Sequence, residues 1–157
     1  MAVVEPVPVR SPVLGLNGVL HREIVNFLQT LRTLLSRVIV RIGSTSLTAQ
    51  DATIATTAID APSLIQNVLH RVSYSLRITQ AATVSSSATV TLGWTTNSVS
   101  CTQAFTAVTG NTTATQQSAS IVIFPDAATS VTFGVVYASV GATSMTYALD
   151  VLLDVLP

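Results

Sequence analysis

Lysine does not occur in this chain of 157 residues, and glutamate occurs only at Glu5 and Glu23. Charged residues make up 9% of the sequence, far below the quarter or so usual for soluble domains. An isolated monomer would have little charge to keep it apart from its neighbours, which favours an oligomer or a packed lattice. Seven arginines balance seven acids, so no basic footprint for nucleic acid exists. A single cysteine, Cys101, excludes an internal disulfide and a cysteine-cluster metal site. Mean hydropathy is high, at +0.59, yet Arg, Asp, Ser or Thr interrupts every apolar run before the roughly 20 residues a membrane helix needs. The opening Met-Ala-Val-Val-Glu-Pro lacks the basic start and apolar core of a secretory signal, which points to synthesis in the cytoplasm.

What the chain does have is one segment of sustained helical period. Leu20, Ile24, Phe27, Leu31, Leu34 and Val38 alternate steps of four and three, the spacing of a coiled-coil seam, and Leu28 and Leu35 widen the seam to a stripe. Asn17 is the candidate N-cap of a helix over 17–38; Glu23 sits near its positive end and Arg32 and Arg37 near its negative end. Such a stripe must be buried, either on the chain's own sheet or on the same helix in sister subunits. Ahead of it, residues 1–16 form a proline-punctuated arm. Pro6, Pro8 and Pro12 fix φ and remove donors, which predicts an extended segment, with Val4, Pro6, Val7, Pro8, Val9 and Arg10 as its anchoring residues.

From residue 39 onward the pattern changes to period two. Val72, Tyr74, Leu76 and Ile78 alternate with Ser73, Ser75, Arg77 and Thr79, and Val68 and His70 extend the inward set backwards. The device recurs at Ala88–Trp94, Ala119–Ile123, Val131–Tyr137 and Met145–Val151. Weaker strands are expected near Val40, Ile54 and Phe105. Connections are expected at 81–87, 95–100, 109–118, 125–130 and 138–144, all rich in Ser, Thr, Ala, Gly or Asn. Strands with one apolar face and no intervening helical pattern call for a mainly β fold. The expectation for 39–157 is an antiparallel β-sandwich, jelly-roll-like at a count approaching eight.

Catalytic patterns are missing. His21 and His70 have no Cys, Asp or Glu at ligand spacing, so they are expected as a helix residue and a strand residue, and no metal or cofactor is expected. The acids are scattered, with no pair bound to converge. No Gly-x-Ser-x-Gly elbow or phosphate-binding glycine loop occurs. Cys101 suits a small sheet-edge residue better than a nucleophile. Trp94 falls on the inward phase of its strand. With Tyr137 it forms the only candidate stacking platform for a sugar. Arg10, Arg22, Arg32, Arg37 and Arg41 suit either an acidic partner or a solvated flank.

The runs Leu69 to Thr83, Val90 to Trp94, Thr109 to Thr113 and Tyr137 to Val151 resemble a β-module of tailed-bacteriophage structural proteins, over about residues 64 to 153. The resemblance implies a virion component, a fibre or a head or tail decoration protein, usually trimeric and without catalytic residues. The expectation is therefore a non-enzymatic homotrimer assembled in the host cytoplasm. The seam residues would form the oligomer, and the arm would attach to a capsid, portal-proximal or tail protein. A capsid cement protein and a carbohydrate-binding module for host attachment are the alternatives.

Overall fold

The computed structural model describes residues 24–31, 38–61, 64 and 68–157. The chain divides into two compact units, Met1–Val38 and Ile39–Pro157. In the first, residues 24–31 are helical (α1), and the Thr30 hydroxyl donates to the Asn26 carbonyl one turn back at 2.9 Å.

The described residues of the second unit form nine strands: β1 (Val40–Gln50), β2 (Ile54–Ala58), β3 (His70–Gln80), β4 (Ser85–Thr96), β5 (Val99–Ala104), β6 (Val108–Thr109), β7 (Gln116–Ile123), β8 (Thr132–Val140) and β9 (Thr146–Val155). They form two antiparallel sheets, ordered β1-β9-β3-β7 and β2-β8-β4-β5, with β6 attached to β4. The pairing nests. β4 and β5 are the innermost hairpin; β3 with β7, β2 with β8 and β1 with β9 wrap it in turn, alternating between sheets. That is a long hairpin rolled up on itself, the jelly roll with its two Greek keys.

The period-two signal predicts the inner faces well. Val72, Leu76 and Ile78 on β3, Ala88, Val90 and Leu92 on β4, Phe133 and Val135 on β8, and Tyr147, Leu149, Val151 and Leu153 on β9 are all buried. They meet between the sheets as one core. Two tyrosines reach across polar gaps at its margin. Tyr74 packs its ring 4.7 Å from Phe105 and donates to the Gln117 side chain at 2.7 Å. Tyr147 donates to the Ala52 carbonyl at 2.8 Å. Burial raises the Tyr74 pKa, and Tyr147 is pushed up to about 12, first by burial and then by the neighbouring Tyr137 and Asp51.

Three expectations need correction. The weak Ser, Thr and Ala pattern of 43–61 predicts one or two short strands and loops, whereas β1 alone runs for 11 residues, with β2 after it. β1 is an edge strand whose alternation is blurred by bulges at Arg41/Gly43 and Leu47/Gln50, the second holding Ala49 at φ 52°. The expected connection at 95–100 shrinks to a two-residue turn. Asn97 and Ser98 both have positive φ, 50° and 62°, as a primed hairpin turn requires, and the Asp126 carboxylate accepts from both their amides at 2.8 and 2.7 Å. The strand expected near Phe105 ends at Ala104, although the Phe105 amide still donates to the Val90 carbonyl of β4.

Candidate assembly surfaces

In α1, Ile24, Phe27, Leu28 and Leu31 sit at i, i+3, i+4 and i+7, on one stripe. Phe27 is 63% exposed and Leu28 54%; Leu31 and Val38 are exposed too, and Ile24 is half-buried. Leu20, Leu34 and Leu35 of the expected seam lie outside the described residues, as do the arm positions Val4, Pro6, Val7, Pro8, Val9 and Arg10. An amphipathic helix with its apolar stripe in water lacks the packing from which helices gain most of their stability.

The jelly roll carries its charge on one side. On the outer face of the β1-β9-β3-β7 sheet, Arg41, Asp154 and Arg71 stand in one cross-strand row, with Asp150 and Arg77 further along. Asp154 is 3% exposed and accepts from Arg71 Nη2 at 2.8 Å and Arg41 Nε at 3.3 Å; Asp150 accepts from the Ser46 hydroxyl. The remaining charged residues of 39–157, Asp51, Asp60 and Asp126, lie in connections. The outer face of the β2-β8-β4-β5 sheet therefore has none. Ser87, Thr89, Thr91 and Gly93 of β4 stand opposite Ala138, Val136, Gly134 and Thr132 of β8, and Ala104, Thr102 and Ser100 of β5 continue the rows. Such a face meets another protein surface without desolvating an ion.

The candidates for chemistry are dispersed. His70 is fully buried on β3; its Nδ1 lies 2.9 Å from the Val68 carbonyl and donates to it, and its buried Nε2 has no hydrogen-bond partner. Cys101 is on β5, the edge of the other sheet, with Sγ against the Val99 carbonyl at 3.7 Å. Among the described residues no three His, Cys, Asp or Glu gather as metal ligands. A cavity of about 180 Å³ beside Ile59, Leu64, Val131 and Leu153 is lined by apolar and hydroxyl residues alone. Trp94 and Tyr137 do not form one platform. Tyr137 stands opposite Ala88, six positions along β4 from Trp94, or roughly 20 Å, and its hydroxyl donates to the Met145 carbonyl. Both rings pack half-buried against the core.

No family model matches the sequence, and no curated protein does. Among solved structures the chain is similar to the structure of infectious bursal disease virus, Gx strain. The TM-score is 0.46 at 14% identity, over 72% of this chain and 32% of that one. It is likewise similar to the Gt strain structure, with TM-score 0.42 at 14% identity, over 76% of this chain and 33% of that one. The chain thus spans about a third of the length of each.

The charge-free outer sheet face escaped sequence reasoning because it needs the strand order. The signal was present in part: the outward phases of β4, β5 and β8 contain only Ser, Thr, Ala, Gly and Val.

Proposed function

We propose that this chain is a non-enzymatic structural subunit of a virion, built to pack against copies of itself and against other virion proteins. The observation that carries the reading is the charge asymmetry of the jelly roll, one outer face holding every strand charge and the other holding none. Jelly rolls serve as viral capsid domains, lectins and cupins, and fold alone does not choose among them. A cupin-type centre calls for clustered histidines, and the one described histidine points into the core with its Nδ1 engaged. A lectin platform calls for adjacent rings, and Trp94 and Tyr137 stand apart. A broad uncharged face on the one unit and an exposed apolar helix stripe on the other suit packing instead.

In the finer form of the proposal the subunit is a homotrimer. The stripe around Leu31 closes the trimer, and residues 1–16 attach it to a capsid, portal-proximal or tail protein of a tailed phage, as the phrases between 64 and 153 suggest. The capsid-cement variant differs only in what the arm holds. The test is Leu31→Asp. A charge at a buried seam costs several kcal/mol, roughly, unless paired. Light scattering should give a smaller assembly than the wild type, while far-UV circular dichroism keeps its β signature. An oligomer of unchanged mass would remove the helix from the interface.

A further inference from the structure

The four sheet edges are guarded unequally. Natural edge strands avoid unwanted pairing by being short, bulged, charged or covered. β1 carries Arg41 and two bulges, and β2 has five residues with a register break between Ile54 and Thr57. β5 engages its own carbonyls from side chains: Cys101 reaches Val99 and Gln103 Nε2 donates to Ala104 at 2.7 Å. β7 has none of these devices. Gln116–Ile123 contains no charge, no proline and no glycine, and it pairs with β3 in unbroken register from Gln116 to Ile123. Among the described residues, no backbone group of β7 has a hydrogen-bond partner outside that ladder.

We propose that β7 pairs antiparallel with β7 of a second copy across a two-fold axis near Ala119, joining two four-stranded sheets into one of eight. The inference rests on the self-assembly reading above and names one of its contacts. A two-fold contact must be self-complementary. With the axis at Ala119, Gln116 stands opposite the second copy's Val122, and Ser118 opposite its Ser120. The pairing covers Val122, which is 58% exposed. No like charges are opposed: Arg77 lies beside Gln116 on β3 and Arg71 beside Val122. Arg77 of one copy and Arg71 of the other are then three strand spacings apart, about 14 Å, beyond the screening length of about 8 Å at physiological salt. One strand pair buries less than a free-standing dimer needs, so the contact acts several times over between two oligomers that other contacts close, and its loss separates them.

The test is Ser120→Lys, at an exposed position beside the proposed axis, with Thr48→Lys, exposed on the β1 edge of the same sheet, as its control. In the full chain, light scattering should find the Ser120→Lys mass reduced to half the wild-type value or less, with circular dichroism unchanged, and the Thr48→Lys mass at the wild-type value. As a second readout that keeps the strand neutral, Ser120→Cys in a Cys101→Ser background should be joined into covalent pairs by a short bismaleimide. Wild-type mass in Ser120→Lys with no crosslink overturns the β7 contact and leaves self-assembly standing. A monomeric wild type overturns both.

Discussion

Asp154 is the residue whose replacement tests the electrostatic architecture of the jelly roll most sharply. Its side chain is 4% exposed, while those of its partners Arg71 and Arg41 are 37% and 57% exposed. Two unit charges 4 Å apart attract by about 4 kcal/mol at an effective dielectric of about 20, but desolvation cancels much of this. A hydrogen bond to a charged group keeps about 1.5–3 kcal/mol net, and a pair with an exposed partner about 0–1 kcal/mol. Asp154→Asn keeps the shape and removes the charge, leaving two guanidiniums without their counterion, one of them that of Arg71, whose buried Nε already has no partner. The expected losses are therefore ranked: about 3 kcal/mol for Asp154→Asn, about 2 for Arg71→Met and under about 1 for Arg41→Met. Urea unfolding at one fixed protein concentration measures all three, since association would otherwise shift the midpoints. A loss below about 1 kcal/mol for Asp154→Asn, or Arg41→Met costing more than Arg71→Met, would refute the assignment of the buried pair.

Two further variants probe the core and its margin. A Cβ at Gly110 would collide with Met145 Sδ and Cγ and with Ser86 Oγ, and Met145 is fully buried, so Gly110→Ala should cost about 1–3 kcal/mol by overpacking; a thermal midpoint within a degree of wild type would show that Met145 moves aside freely. Tyr147, raised from 10.0 to about 12 in the folded chain, keeps its proton there when the unfolded chain has lost it. Its contribution is complete below pH 10 and disappears as pH rises through about 12. Urea midpoints between pH 9 and 12 should therefore fall with pH, and fall less steeply in Tyr147→Phe; equal slopes would contradict the burial of the hydroxyl.

How much of this was legible from sequence depends on the strand. β3, β8 and β9 have one fully buried face, so the side-chain period writes itself into Val72 to Ile78, Val131 to Val135 and Met145 to Val151. β1 and β2 are edges with bulges, each of which shifts the phase, and Leu47 and Ile54 consequently looked isolated. β5 has no fully buried residue at all, which leaves its six residues without a period to detect. The turn at Asn97 and Ser98 looked like part of a longer loop because its anchor, Asp126, is remote in sequence. Ile24, Phe27, Leu28 and Leu31 gave the helix its period, whereas the uncharged outer face and the bare β7 edge arise from strand order, which no local window contains.

The measurement that bears most directly on the central claim is the molar mass of the full chain in solution by light scattering at micromolar concentration. A subunit that packs through its helix stripe, its uncharged face and its β7 edge should give a multiple of 16.4 kDa, three copies or more. A single chain of 16.4 kDa, unchanged as concentration is raised, would contradict the account.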